Sequence, residues 1–278
     1  MTQSSTGGPA PSYVDPTKAS IARVYDAALG GKDNYEIDRA TVAKLRTVAP
    51  EIEQFTVDHR AFLIRATRFL AGTAGITQFL DCGSGLPTAE NTHQAAQRLQ
   101  PDARVVYVDN DPTVIAHGRA LLEDNESTLF SPADIFTPAA VLEDPAIRRL
   151  LDFSQPIALF QLGTLHHYDD PARSPQSIME SYVDALPSGS YVVIAHFFDS
   201  EDGDADSELA RRLEDVFVHS PMGSGRFRTR AEIEGMFPGL EMVEPGIELC
   251  VRWWPDGPPP PSPAPAQRCI VGGIGRKP

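Results

Sequence analysis

Between Ser20 and Gly72 the apolar positions return every three to four residues. KASIARVYDAAL, EIDRATVAKLRTV and VDHRAFLIRATRFLAG each gather aliphatic side chains on one stripe, the period of amphipathic helices. Gly72 stands where the third would stop. From Ile76 the texture changes. ITQFLDCGSG, ARVVYVDND, STLFSPADIF, PIALFQLG and SYVVIAHFF are short apolar runs separated by helix-length segments. That alternation predicts βαβ units, hence a parallel sheet with helices on both faces. The last two runs, LEMVEPGIELCVRWW and RCIVGGIGR, are joined by PDGPPPPSPAPAQ with no helix between them, so they are antiparallel or distant partners. The pattern divides the chain into a disordered start (1–15), a helical cap or lid (16–75) and an α/β core (76–278) containing a proline-rich loop (256–267). DSEDGDADSE, 199–208, lacks the glycine position of an EF-hand loop and reads as a solvated loop before a helix with Leu209, Leu213 and Val216.

Composition narrows the function. The 278 residues are 41% hydrophobic, enough for a large buried core. A formal charge of −14 disfavours a nucleic-acid binder, which needs basic residues to displace counterions, and leans toward a small-molecule substrate. Cys82, Cys250 and Cys269 lie far apart with no CxxC spacing, so neither a metal site nor a disulfide framework is expected. With no signal-like start and no membrane-length apolar run, the expectation is a soluble cytoplasmic protein that does not engage membranes.

Two glycine clusters invite a phosphate reading. Gly30-Gly31-Lys32 fails it: Asp33 follows where a P-loop needs Ser or Thr, and helical spacing precedes it. Asp81-Cys82-Gly83-Ser84-Gly85 closes the first predicted strand, and Pro87-Thr88 opens a helix with Thr88 as its N-cap. Asp109 ends the second strand about 20 residues after Thr88, the interval that places a carboxylate on ribose hydroxyls. Thr88 takes the third glycine slot of a dinucleotide fingerprint, and Asp81 precedes the first glycine. An acid beside the ligand suits a cationic cofactor better than a pyrophosphate.

FLDCGSG, VVYVDND and ADIF resemble motifs one to three of class I S-adenosylmethionine-dependent methyltransferases. With RVYDAALGGKDNYEIDR, RAFLIRATRFLA, VVYVDNDPTVIAHGRALL and LPSGSYVVIAH, the chain from about Ser20 to GRKP is similar to an actinomycete-type S-adenosyl methyltransferase family. The resemblance implies a Rossmann-like, seven-stranded sheet of order 3-2-1-4-5-7-6 with strand seven antiparallel. It implies S-adenosylmethionine as cofactor, S-adenosylhomocysteine as product, and an unidentified, small acceptor.

By the same resemblance Asp81, Gly83, Ser84 and Gly85 line the methionine and ribose part. Asp109 takes the ribose hydroxyls, Asn110 and Asp111 flank the adenosine, Asp134 meets the adenine amino group with Ile135 on the ring, and Gln161 and Leu162 floor the sulfonium. Helix capping is the competing role for Asp109 and Asp111, and a strand-end turn for Asp134. His166 is the first candidate base, with Tyr168 and His196 behind it; a structural role competes for each, and more strongly for His167 and His196. YDAALGGKDNY is placed to roof the site with Tyr25, Lys32, Asp33, Asn34 and Tyr35, Tyr25 and Asn34 being catalytic candidates. Arg60 is a candidate for the cofactor carboxylate. A plain helix–turn–helix joint competes with the roof. A cofactor-binding regulator without turnover and a nicotinamide oxidoreductase stand as alternatives to the enzyme.

Overall fold

The computed structural model describes residues 14–87, 90–121 and 125–278. Most of the segment expected to be disordered therefore lies outside the described residues; Val14, at its end, is buried. Three helices lead, α1 Ile21–Ala28, α2 Glu36–Val48 and α3 Ile52–Arg68. α3 continues through a π-helical turn, Phe69–Thr73, so the stop expected at Gly72 comes too early. Gly72 packs against Leu99, while Gly75 takes the left-handed conformation (φ 70°) that glycine adopts without steric cost.

β1 Gln78–Cys82, β2 Arg104–Val108, β3 Thr128–Ser131, β4 Ala158–Leu162 and β5 Tyr191–Phe197 pair in parallel. α4 Thr92–Gln97, α5 Pro112–Leu121, α6 Pro138–Leu142, α7 Pro145–Leu150 and α8 Pro175–Ala185 lie between them. Then follow α9 Ala205–His219, α10 Arg230–Glu234, β6 Glu241–Met242, β7 Glu248–Leu249 and β8 Ile270–Arg276. The order is β3-β2-β1-β4-β5-β8-β6, with β7 also on β8, and β8 runs antiparallel to β5. This is the expected α/β architecture with eight strands instead of seven. LEMVEPGIELCVRWW forms two two-residue strands because Pro245 has no N–H to offer and Gly246 turns the chain at φ 81°.

Side chains alternate across the sheet, and both faces are covered. Phe79, Phe160, Val193 and Ala195 join one core; Leu80, Leu159, Val192 and Ile194 join the other. The leading helices share the first core, contributing Ala22, Leu45, Phe55 and Phe62. A Cβ on Gly272 of β8 would collide with the Phe62 ring, so glycine there lets α3 seat on the sheet. Arg65 donates to the carbonyls of Trp253 (2.8 Å) and Cys250 (2.6 Å). Gln267, at the end of the proline-rich loop, donates to Asp58 at 2.6 Å.

The helix after the glycine turn opens at Thr92 with Asn91 as its N-cap, and Gln94 Oε1 accepts from the Asn91 N–H at 2.8 Å. Thr88, expected as the cap, lies outside the described residues. Asp204 ends the acidic loop and caps α9, accepting from Asp206 and Ser207 N–H at 3.0 Å each. No helix of the described residues is long and apolar enough to cross a membrane.

Candidate functional site

A cavity of ≈ 440 Å³ crosses the carboxyl edge of the parallel strands beneath α1, α2, α3 and α9. The β1 turn forms its wall. Gly83 (φ 79°) and Ser84 donate to the Val108 carbonyl at 2.7 and 3.2 Å, and Gly85 (φ 64°) donates to Asp109 Oδ2 at 2.9 Å. A Cβ on Gly83 would strike Thr164; at Gly85 it would meet open space, so positive φ and not crowding calls for glycine there. Asp109 Oδ1 accepts from the Asp111 N–H at 2.9 Å. Asp109 therefore braces the glycine turn instead of capping α5. Asp111 does cap it, accepting from Thr113 (2.7 Å) and Val114 (3.3 Å), and still lines the cavity beside Asn110. Asp134 makes the turn that competed for it, accepting from the Phe136 N–H and the Thr137 hydroxyl at 3.0 Å each, while it and Ile135 line the cavity.

Burial raises Asp81, although Thr92 donates to it at 2.6 Å. It also raises Asp109 to about 6, with the Asp111 and Asp81 charges adding. Leu162 lines the cavity, but Gln161 does not: it is wholly buried, with Oε1 accepting the Thr164 hydroxyl at 2.6 Å. Arg60 lines the cavity and donates to the Glu90 carbonyl.

The Gly30-Gly31 turn is organised from beneath by two carboxylates. Asp26 accepts from the Asp33 N–H (2.9 Å) and Asn34 Nδ2 (2.7 Å). Asp38, fully buried, accepts from Arg23 Nε (2.8 Å), the Tyr35 N–H (2.9 Å) and the Ser20 N–H (3.1 Å). Lys32, Asp33, Asn34 and Tyr35 do not line the cavity; from this segment Tyr25 and Ala28 do.

Tyr25 points the site to a residue that the sequence reading passed over. Its hydroxyl lies 2.8 Å from His59 Nδ1, and burial keeps the phenol protonated well above its usual range. His59 is buried, its Nε2 has no partner, and desolvation with the Arg60 charge holds it down at about 3. The signal lay in α3, where Ile52, Phe55, Thr56, His59, Arg60 and Leu63 share the cavity-facing stripe.

His166 stacks on Phe197, with ring centroids 3.4 Å apart and planes at 12°; its Nδ1 is buried without a partner. Burial and the neighbouring His167, His196, His59 and Arg228 keep it neutral well below the usual range. His167 lies 3.0 Å from the Ser224 hydroxyl. His196 has both nitrogens occupied. Nε2 accepts from Arg228 Nη1 (3.0 Å), so Nδ1 carries the proton and donates to the Phe197 carbonyl (2.7 Å). Neither His196 nor Tyr168 lines the cavity.

The cofactor implied by the motifs fits this lining. Four carboxylates, Asp81, Asp109, Asp111 and Asp134, face the cavity against one arginine, Arg60. That balance would repel a pyrophosphate and accommodates a sulfonium and an ammonium. The Ser84 hydroxyl, buried with no partner, adds a free polar group at the glycine turn. The residues that would hold the cofactor are Gly83 to Gly85, Asp109 and Arg60.

Comparison with known proteins accords with that fit. A crystal structure from Thermobifida fusca, of a protein provisionally named a methyltransferase, is 42% identical with a TM-score of 0.90, over 98% of this chain and 99% of that one. A DUF574 family protein from Streptomyces avermitilis is 34% identical with a TM-score of 0.87, over 95% and 99%. An O-methyltransferase family 2 protein from Planctomyces limnophilus, 16% identical over 91% of this chain and 64% of that one, shares the fold at a TM-score of 0.50. A search of curated proteins returns no match. The family model described as S-adenosyl methyltransferase matches residues 8–278. The chain thus belongs to the S-adenosyl methyltransferase family, whose enzymes transfer a methyl group from S-adenosylmethionine.

Proposed function

We propose that the cofactor lies along the β1–β2–β3 half of the cavity and that the enzyme methylates a small molecule. The observation that carries this placement is the acidic lining around the glycine turn, concentrated on those three strands. Asp109 receives the ribose hydroxyls, Asp134 and Ile135 flank the adenine, and Arg60 faces the cofactor carboxylate. S-adenosylmethionine supplies an electrophilic methyl on a sulfonium, so a neutral acceptor X–H gains an X–CH₃ bond and loses a proton as the carbon–sulfur bond breaks.

The chain's own work is to hold the two partners in line and keep water out. Tyr25 covers the site from α1, and Asn34 acts at one remove by fastening the turn to Asp26. His59 and His166 present the unpartnered nitrogens that can orient the acceptor's proton. The charge of −14 supports a substrate other than nucleic acid, and three buried free thiols suit a reducing cytoplasm.

Calorimetry with S-adenosylhomocysteine tests the placement. The intact protein should bind, and Asp109→Ala should weaken binding about tenfold or more, the worth of hydrogen bonds to a charged group. Unchanged affinity in that variant would refute the role given to Asp109.

A further inference from the structure

The strand order lays the cavity out as a line. Starting from β3, it passes Asp134, then Asp109 after β2, the glycine turn after β1, Gly163 after β4, Phe197 at the end of β5, and Ile270 at the start of β8. Strands stand about 4.8 Å apart, so the two ends lie roughly 24 Å from one another. Chemistry divides along this line. Every charged residue lining the cavity sits toward β1, β2 and β3: Asp81, Asp109, Asp111, Asp134, and Arg60, whose guanidinium reaches the loop after β1. Among the described residues, no Asp, Glu, Lys or Arg lines the half over β4, β5 and β8.

That second half is aromatic. Phe197 stacks on Phe217 with centroids 5.0 Å apart and meets Phe55 edge-on at 5.2 Å. Met222 and Ile270 complete the wall. Gly163, φ 74°, stands where the halves join, and a Cβ there would lie 3.2 Å from His59 Nε2 and 3.9 Å from the His166 ring. Two buried imidazoles, each with an unpartnered nitrogen, thus flank Gly163.

We infer that the β4–β5–β8 half is the acceptor subsite, and that it takes a flat, uncharged aromatic alcohol with its hydroxyl at Gly163 between His59 and His166. The inference rests on the methyltransferase reading of the first half. The Phe rings give this half an apolar aromatic lining, and a neutral imidazole nitrogen accepts a hydrogen bond from a hydroxyl. A carboxylate or an ammonium would enter a lining with no opposite charge and lose its hydration uncompensated. The low basicity of His59, about 3, keeps that end of the subsite uncharged across the physiological range.

The test uses the full-length protein saturated with S-adenosylhomocysteine, whose own binding is measured first. Binding of naphthol, naphthoate, naphthylmethylamine and methoxynaphthalene, the same ring isomer throughout, is then followed by calorimetry. Naphthol should bind, and the anionic and cationic analogues should bind about tenfold or more weakly, as expected for desolvating an unpaired charge. Methoxynaphthalene, lacking the donor, should fall several-fold behind naphthol. His59→Phe should erase that gap, and His59→Gln, which keeps an acceptor, should restore part of it.

Met222→Glu, at a partly buried position, should weaken naphthol while leaving S-adenosylhomocysteine affinity within about twofold. Charged analogues binding as tightly as naphthol, or no naphthol binding to a complex that demonstrably holds S-adenosylhomocysteine, would overturn this inference alone. Failure of S-adenosylhomocysteine itself to bind would overturn the cofactor placement and the inference with it.

Discussion

Asp109 carries two duties at once. Its oxygens accept from Gly85 and Asp111, which holds the glycine turn against α5, and its charge faces the cavity. Burial lifts its ionisation from 3.8 to about 6. Between those values the folded chain keeps a proton that the unfolded chain has lost. The group therefore costs stability progressively as pH rises from 3.8 to 6, and by a constant amount above. The proposed ribose contact requires the ionised form, so cofactor affinity should run the other way. S-adenosylhomocysteine should bind about tenfold more weakly at pH 5 than at pH 7, the ionised fraction setting the factor, and Asp109→Asn should flatten the dependence. His59 and His167 ionise near 3 and do not contribute in that window. Calorimetry across pH checks this, and a flat profile for the intact protein would exclude Asp109 as the ribose anchor.

At the scale of elements, the α1–α2 joint is held by carboxylates that nothing in local spacing advertises as structural. Arg23 and Asp38 are an ion pair with almost no exposure, 4% and 0% for the two side chains, and Arg23 also reaches Thr113 of α5 at 3.3 Å. Removing one partner leaves the other charge buried. Asp38→Ala should cost about 3–5 kcal/mol in denaturant unfolding. By contrast Arg276→Ala, which breaks an exposed pair with Glu241, should cost at most about 1 kcal/mol. Gly31→Ala would drive a methyl into the Asp26 carboxyl and should cost about 1–3 kcal/mol while loosening the roof over Tyr25. Equal stabilities for Asp38→Ala and Arg276→Ala would contradict the anchoring role.

The joint also shows where sequence reading stops. Helical periodicity located α1, α2 and α3, and contiguous motifs located the β1 turn, Asp109 and Asp134. The assignment of Lys32, Asp33, Asn34 and Tyr35 to the ligand turned on proximity in sequence, whereas the Asp33 and Tyr35 N–H groups and the Asn34 side chain are spent on Asp26, Asp38 and Arg39.

On the scale of the whole molecule, what was legible and what was not divide along the same line as the cavity. The half proposed for the cofactor is written in short runs at strand ends, because one turn and one carboxylate per strand suffice to build it. Phe55, Phe217, Met222 and Ile270 come from segments scattered over most of the chain and meet only when α3, α9 and β8 pack. His59 was hidden as one polar residue on an apolar helix face.

In the assembled molecule desolvation also holds His59, His166, His167 and His196 neutral. Unfolded, each takes up a proton near 6.5; folded, each resists to far lower pH. Stability is therefore full above about pH 7 and lost as pH falls through 6.5, by up to about 1.4 kcal/mol per pH unit per histidine. Their number outweighs the opposite trend of Asp109. Thermal unfolding between pH 8 and 5 should show Tm falling steeply below 6.5; a level Tm would mean that these rings are hydrated or protonated in the fold.

The division of the cavity is tested most directly by a crystal structure of the complex with S-adenosylhomocysteine. The ribose hydroxyls should lie on Asp109, the adenine between Asp134 and Ile135, and the sulfur should face Gly163, with the Phe197–Phe217–Ile270 half left free. Adenine stacked on Phe197, or a ribose without contact to Asp109, would contradict this division.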